Sequence, residues 1–325
     1  MPKSPLTKAA IAVGAVAAAT AIGAAVAKKR GLNLRGWALY NFAKLIAPNI
    51  SDPAVLRKMI SQDRANGPAL PPKGLLKKID FHESAGNGMR IFHARRKGAP
   101  ETSLKLLYLH GGAYVLDFQA IQWNLVAGLL ERVDGEVVAP IYPLAPEAGW
   151  RQTMAAVRAH YLALVEANGA ENIIVFGDSA GGGIALLLAQ ALRDAGEPQP
   201  RALVLFSPCL DLSGSGADQP ALEKRDPALS LRLVETIAPM WAKDLPANDP
   251  RVSPLFGEHH DLPPTMIFSG DREILDSDAL RLKAINPSVD HRHYAEMMHV
   301  WPVSPIREGR QALDEAAAFI RRNSA

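Results

Sequence analysis

Two hydrophobic patterns alternate along the chain from about residue 75 onward. Short, continuously apolar runs predict strands that are buried on both faces, and longer segments with apolar residues at helical spacing predict helices. The predicted strands cover residues 76–82, 89–94, 104–110, 136–142, 172–176, 202–206, 265–269 and 289–294. The predicted helices cover residues 119–132, 152–168, 180–194, 277–285 and 306–323. This order predicts an α/β fold in which helices cover both faces of a mostly parallel sheet.

Two segments depart from this alternation. Residues 31–68 precede the sheet and include Asp52-Pro53, an N-cap followed by proline at the first helical position, which predicts a helix over 54–65. Residues 211–249 follow a strand, begin with polar residues and carry a helical pattern over 229–243. Insertions at this edge of such a sheet commonly form lids. We therefore predict one domain over residues 31–325, with a lid formed by the insertion 211–249.

Residues 1–30 form a separate, alanine-rich hydrophobic segment. Residues 9–27 contain no charge and no proline, and as a helix they would extend about 28 Å, close to the ~30 Å hydrocarbon core of a bilayer. Ala25-Val26-Ala27 resembles a signal-cleavage site, but the basic run 28–30 follows it directly and favours a retained anchor. A membrane anchor, a cleaved signal and a weakly ordered tail are the three interpretations, and we favour the anchor. Basic residues flank both ends, so the orientation stays open.

Composition and charge limit the class of protein. The chain has 325 residues, of which 48% are hydrophobic and 21% are charged, as in ordinary globular proteins. A formal charge of +3 is too small to indicate a nucleic-acid partner. Cys209 is the only cysteine, so no intramolecular disulfide can form. His291 and His293 alternate on one face of a predicted strand without a third ligand nearby in sequence, and we expect neither a metal nor a cofactor.

The sequence G-D-S-A-G at residues 177–181 lies between a predicted strand and a predicted helix. G-x-S-x-G in this position is the nucleophile elbow, a turn so tight that its flanking residues must be small. It would expose the hydroxyl of Ser179 above the carboxyl edge of the sheet. The pattern therefore predicts that Ser179 is a catalytic nucleophile.

A nucleophilic serine also needs donors for an oxyanion, and a glycine pair supplies candidates. His110-Gly111-Gly112-Ala113 ends a predicted strand. Glycines at this point let a substrate carbonyl approach the backbone. We predict that the oxyanion hole consists of the N–H groups of Gly111, Gly112 and Ala180.

The base and the acid are expected late in the chain. His299 follows the last predicted strand and is the candidate base. Asp271 and Glu273 both stand where the chain leaves the preceding strand, and either could orient the imidazole. The residues alone leave that choice open.

Together, these motifs resemble the hormone-sensitive-lipase-like branch of the α/β-hydrolases, the bacterial family IV esterases. The resemblance covers about residues 70–320 and rests on H-G-G-A at 110–113, Y-P-L-A-P-E at 142–147, G-D-S-A-G at 177–181, D-P-R-V-S-P at 249–254, G-D-R-E-I-L at 270–275 and M-H-V-W at 298–301. It implies the α/β-hydrolase fold with a helical lid built from about residues 31–68 and 211–249. It also implies Ser179 as nucleophile and His299 as base. The acid of that family stands two residues before a leucine, which here implies Glu273. Ala113 and Pro143 replace the family's usual glycine and arginine.

The resemblance implies a serine carboxylic-ester hydrolase that cleaves small-molecule esters with short to medium acyl chains through an acyl-enzyme. Lactone hydrolysis, or amide hydrolysis of the deacetylase type, would use the same three residues. A non-catalytic ligand-binding module is a further alternative, but such relatives lose the histidine that is present here as His299. We expect membrane association through residues 9–27, or otherwise a cytoplasmic or periplasmic protein. The oligomeric state is left open.

The anchor hypothesis can be tested by alkaline carbonate extraction of membranes. We expect the full chain to stay in the membrane fraction, because residues 9–27 are apolar and long enough to span the hydrocarbon core. A variant lacking residues 1–30 is the control and is expected in the supernatant. Recovery of the full chain wholly in the supernatant would contradict the anchor.

Overall fold

The computed structural model describes residues 50–324. Within this range the chain forms an eight-stranded sheet with the order β1-β2-β4-β3-β5-β6-β7-β8. The strands are β1 (Ile79–Gly86), β2 (Met89–Arg96), β3 (Lys105–Leu109), β4 (Glu136–Pro140), β5 (Ile173–Asp178), β6 (Ala202–Phe206), β7 (Thr265–Arg272) and β8 (Asp290–Met298). The pairs β1–β2 and β2–β4 are antiparallel, and every other pair is parallel. The predicted mostly parallel sheet is confirmed.

Helices cover both faces of the sheet. Among residues 50–324 they are α1 (Pro53–Asn66), α2 (Trp123–Leu130), α3 (Trp150–Asn168), α4 (Ala180–Asp194), α5 (Gln219–Glu223), α6 (Leu231–Ala242), α7 (Asp276–Ile285) and α8 (Arg307–Ser324). Helices α3 and α4 bury their apolar sides against Leu107, Val175 and Leu205 on one face. Helices α2 and α8 pack on the other face. Strands β5 and β6 are buried at every position, which is why they appear in the sequence as unbroken apolar runs.

The predicted boundaries differ from the structure mainly at the sheet margins. The first predicted strand began at residue 76, but Leu75–Lys77 is a 3₁₀ turn and β1 continues to Gly86. Asn87 and Gly88 both have positive φ and close the β1–β2 hairpin, as the sequence Asn-Gly favours. Strand β8 extends to Met298, four residues beyond its predicted end. Edge strands carry polar residues, so an apolar run marks only part of their length.

An aromatic cluster fastens the antiparallel hairpin to α2. The ring centroids of Phe81 and Phe92 are 5.4 Å apart, and those of Phe118 and Trp123 are 4.9 Å apart. Phe92 and Phe118 connect the two pairs at 5.7 Å. Side chains alternate between the faces of a strand, so His82 and His93, next to these phenylalanines in sequence, point to the opposite face.

The predicted N-terminal anchor, residues 9–27, and the first part of the predicted lid, residues 31–49, lie outside the described residues. Within residues 50–324, no helix combines the length and apolarity needed to cross a bilayer. Membrane association through residues 9–27 therefore stays a prediction.

Candidate active site

Ser179 occupies a strained turn between β5 and α4. Its backbone has φ 52° and ψ −121°, a conformation that costs a non-glycine residue energy and persists only where the surrounding structure imposes it. Gly181 lies so close to β3 that a Cβ there would be 1.9 Å from the carbonyl oxygen of Leu109. The small residues of the elbow are therefore required by the approach of helix α4 to the neighbouring strand.

The structure brings Ser179, His299 and Glu273 into one hydrogen-bonded chain. The Nε2 atom of His299 lies 2.9 Å from Ser179 Oγ. Its Nδ1 atom lies 2.6 Å from Glu273 Oε2. The Glu273 side chain has no exposed surface, and its other oxygen accepts hydrogen bonds from Ser207 Oγ at 2.8 Å and Gly270 N–H at 2.9 Å.

The environment of His299 changes its basicity. Burial by itself lowers the pKa of His299, but the hydrogen bond that His299 donates to Glu273 and the charge of that carboxylate outweigh burial and raise the pKa above the usual 6.5. The imidazole is therefore a stronger base than a free histidine, and its protonated form is stabilised.

Asp271, the second acid candidate, does not contact the imidazole. Its Oδ1 atom accepts the backbone N–H of Glu296 at 2.6 Å, and its Oδ2 atom lies 3.1 Å from the guanidinium of Arg225. Asp271 therefore fastens the segment that leads to His299.

The backbone of residues 111–113 requires a correction to the predicted oxyanion hole. The N–H of Gly111 donates to Asp178 Oδ1 at 2.9 Å, so it is not available to an oxyanion. Glycine is needed there because a Cβ would lie 2.2 Å from Asp178 Oδ2. Among residues 50–324, the N–H groups of Gly112, Ala113 and Ala180 have no hydrogen-bond acceptor. Ala113, which the sequence argument did not include, thus has an available N–H, as Gly112 and Ala180 do.

Asp178 holds the loop that carries these groups. Its carboxylate is buried and also accepts hydrogen bonds from the hydroxyl of Tyr108 and from Gln122 Nε2, the latter at 3.2 Å. His110 supports the same loop from the other side, because its ring stacks on Tyr142 at 4.3 Å. Burial lowers the pKa of His110, which keeps the ring neutral.

Comparison with known proteins identifies the family. Residues 106–303 match the family of the alpha/beta hydrolase fold. The chain belongs to this family. An acetyl-hydrolase of Streptomyces hygroscopicus is 36% identical over 66% of this chain and 75% of its own length, and an esterase of Acinetobacter venetianus is 32% identical over 66% and 73%. The crystal structure of an esterase from the bacterial hormone-sensitive lipase family superposes with a TM-score of 0.73 at 27% identity and covers 83% of this chain and 90% of that one. The resemblance to hormone-sensitive-lipase-like esterases is thereby confirmed.

A small apolar cavity of the hydrolase opens beside Ser179. The space open to the centres of water-sized spheres is about 40 Å³, which is room for about three water molecules. Its walls are mostly aliphatic and include Cys209, Leu212, Leu229, Leu233, Val234 and Ile237. Three of these belong to α6, so the insertion over residues 211–249 contributes directly to the cavity. A larger groove of about 500 Å³ lies between α2 and α8 and is lined by other residues.

Two residues that sequence reasoning missed connect the segments around the triad. Ser207 Oγ donates to Glu273 and accepts the N–H of Val300 at 3.0 Å, so it joins the acid to the histidine loop. Asp226 accepts the N–H groups of Leu229 at 2.9 Å and of Ile274 at 2.9 Å. Desolvation raises the pKa of Asp226 to about 6. Neither residue lies in a recognisable motif, so no sequence signal marks it.

Helix α7 begins with two acidic residues. Asp276 and Asp278 lie in the first turn, where negative charge suits the helix dipole, but both are buried. Asp278 accepts the N–H groups of Leu210 and Asp211 at 2.9 and 3.0 Å, next to the cavity wall. Burial raises the pKa of Asp278 to about 8.

The two histidines of β8 contact polar side chains of β7 and α7. His291 Nε2 lies 2.7 Å from Ser269 Oγ, and His293 Nε2 lies 3.1 Å from Asp276 Oδ2. Both rings therefore bind polar side chains at the end of β7 and the start of α7.

Asp178→Asn tests the support of the oxyanion loop. We expect kcat to fall about tenfold to a hundredfold with little change in KM, because an amide offers one acceptor oxygen where the carboxylate offers two and misplaced donors lose transition-state contacts. The measurement is hydrolysis of p-nitrophenyl butyrate, with thermal melts to verify folding. Asp80→Asn, at an exposed carboxylate on β1, is the control. Unchanged kcat in folded Asp178→Asn would contradict this role.

Proposed function

We propose that Ser179, His299 and Glu273 hydrolyse carboxylic esters with short acyl chains through an acyl-enzyme. The single observation that carries this proposal is the continuous hydrogen-bonded chain from the buried carboxylate through the imidazole to the serine hydroxyl. Serine nucleophiles need a base and a group that orients the base, and both are within hydrogen-bond reach.

In the acylation step, Ser179 Oγ attacks the ester carbonyl carbon while His299 Nε2 accepts the hydroxyl proton. Glu273 holds the other ring nitrogen and stabilises the imidazolium that forms. The tetrahedral intermediate then collapses, and His299 returns its proton to the leaving alcohol. In the second half of the reaction, water attacks the acyl-enzyme while His299 Nε2 accepts its proton. The second tetrahedral intermediate collapses, His299 returns the proton to Ser179 Oγ, and the acid is released.

The oxyanion would be stabilised by the N–H groups of Gly112, Ala113 and Ala180. Gly112, Ala113 and Tyr114 have consecutive positive φ values of 129°, 55° and 63°. This backbone conformation turns the peptide groups of the loop away from regular pairing, and the N–H groups of Gly112 and Ala113 have no acceptor among the described residues. Fixed donors of this kind cost no reorganisation when charge develops on the substrate oxygen.

The apolar cavity supports short acyl chains. It has room for about three water-sized groups, which suits an acetyl to butyryl group, and its aliphatic lining does not hydrogen-bond a polar substituent. The name of the related acetyl-hydrolase is consistent with the lower end of this range. The same residues could cleave a lactone or an activated amide. A matched ester and anilide compared on one enzyme preparation would separate these leaving groups.

Ser179→Ala tests the nucleophile. We expect hydrolysis of p-nitrophenyl butyrate to fall by about 10⁶-fold in kcat, because the acyl-enzyme cannot form. Circular dichroism must show a folded protein. Activity within tenfold of the parent would contradict the assignment.

Two matched amide substitutions distinguish the acids. We expect Glu273→Gln to lower kcat by about 10³–10⁴-fold, because it removes the charge that stabilises the imidazolium. Asp271→Asn should stay within about tenfold, since an amide oxygen can still accept the N–H of Glu296. The reverse order would assign the acid role to Asp271.

The pH profile provides a second readout for this pair. His299 must be neutral to act as base, so kcat/KM should decline as pH falls through its raised pKa, with a midpoint above 6.5. In Glu273→Gln the charge that raises this pKa is gone, and the midpoint should move to lower pH. The midpoint of Asp271→Asn should remain that of the parent.

A series of p-nitrophenyl esters from C2 to C16 tests the cavity. We expect kcat/KM to be highest from C2 to C4 and at least tenfold lower by C8, because longer chains exceed the space beside Ser179. Leu233→Ala removes part of the wall contributed by α6, which enlarges the cavity, and should raise the ratio of kcat/KM for the C8 ester to kcat/KM for the C2 ester. An optimum at C8 or beyond in the parent would contradict the assignment of this cavity to the acyl chain.

A further inference from the structure

Three potential metal ligands converge outside the active site, on β1, β2 and β4. The ligand atoms of His82, His93 and Glu136 all lie within 4.8 Å of one another. The two imidazole rings are nearly parallel, with centroids 4.4 Å apart. Glu136 Oε1 lies 2.8 Å from His93 Nδ1.

The register of the sheet produces this arrangement. His82 and His93 are direct partners across the β1–β2 pair, where opposite side chains on one face are neighbours. Glu136 pairs with Arg95, two residues beyond His93, so it lies on the same face in the diagonal position. The aromatic cluster on the other face fixes the hairpin and therefore the direction in which both histidines point.

We propose that His82, His93 and Glu136 bind a divalent transition-metal ion, with Zn²⁺ as the best match. Two imidazole nitrogens and one carboxylate oxygen form a ligand set that suits Zn²⁺, and water would complete a tetrahedron. The side chains of His93 and Glu136 are 17% and 22% exposed, and all three residues line an open cavity of about 290 Å³, so an ion can reach them from solvent. Asp80 and its cross-strand partner Arg95 line the same cavity, and their opposite charges offset each other.

Neighbouring groups compete with the ion. Lys105 Nζ lies 2.5 Å from Glu136 Oε2, and Ser84 Oγ lies 2.8 Å from one ring nitrogen of His93. The ion would replace the direct His93–Glu136 hydrogen bond, while Lys105 can keep the second carboxylate oxygen. The ammonium repels a cation and weakens the site. Removing this positive charge should therefore increase the affinity for Zn²⁺.

The position of the three ligands indicates that a bound ion would stabilise the sheet. Glu136 and Lys105 are the first residues of β4 and β3, whereas Ser179 follows the carboxyl end of β5. The cluster therefore lies at the amino ends of the parallel strands, whereas Ser179 lies at their carboxyl ends. An ion at this point would bridge three strands and stabilise the antiparallel margin.

The test is Zn²⁺ binding to the full chain without an affinity tag, after treatment with EDTA and removal of the chelator. Isothermal titration should detect a site whose affinity falls at least tenfold in His82→Phe and in Glu136→Gln. His82→Phe keeps an aromatic ring beside His93 and removes only the ligand. His260→Ala, at an exposed loop histidine, is the control and should bind like the parent.

Two further measurements check the assignment. Zn²⁺ at about a hundred times its Kd should raise the Tm of the parent by several degrees, and the shift should be absent in His82→Phe. Lys105→Met should bind Zn²⁺ at least threefold more tightly than the parent. Equal Zn²⁺ affinity in the parent and His82→Phe would overturn the site, and unchanged affinity in Lys105→Met would overturn the assignment of Glu136 as a ligand.

Discussion

The buried carboxylate of Glu273 is the constraint on which the catalytic geometry depends. Transferring an ionised carboxylate from water to a protein interior costs several kcal/mol, so it must be matched by donors in good geometry. Here the donors come from three elements: Ser207 after β6, the N–H of Gly270 in β7, and His299 after β8. Satisfying one charge therefore fixes how the carboxyl ends of three parallel strands approach one another. The position of the imidazole over Ser179 follows from that arrangement.

A second buried carboxylate organises the other half of the site. Asp178 ends β5, immediately before the nucleophile, and accepts the N–H of Gly111 at 2.9 Å. The contact turns the N–H of Gly111 toward Asp178, and the next two N–H groups of the loop have no acceptor among residues 50–324. Gly111 is thus required by its contact with Asp178, and the loop donors that we propose for the oxyanion lie one residue further along the chain than the sequence predicted. The loop is held in register with Ser179 because Asp178, which binds the loop, directly precedes Ser179 in the chain.

The sequence supports some of these features and not others, for physical reasons. Buried parallel strands are continuously apolar, and an elbow requires small residues, so the sheet and the position of Ser179 could be predicted. The choice between Asp271 and Glu273 could not be made from spacing alone, because the two residues lie within three positions of each other at the end of β7. The pairing of β7 with β8 also shifts register between Gly270 and Arg272, which the sequence does not mark. Which N–H of the glycine loop is free depends on backbone angles that glycine permits but does not specify. Ser207 and Asp226 act through contacts distant in sequence, which no periodicity records.

The insertion over residues 211–249 contacts both the cavity wall and the turn that carries Glu273. Asp226 accepts the N–H of Leu229, which lines the cavity, and the N–H of Ile274, which directly follows Glu273. One side chain therefore fastens both the wall that limits the substrate and the turn that presents the acid. A change in the insertion that widens the cavity by moving Leu229 would also pull on the turn that carries Glu273. Substitutions on α6, such as those at Leu233 or Ile237, enlarge the same cavity without touching this link. The cavity can therefore vary at Leu233 and Ile237 independently of the triad, whereas at Leu229 its shape is coupled to the triad through Asp226.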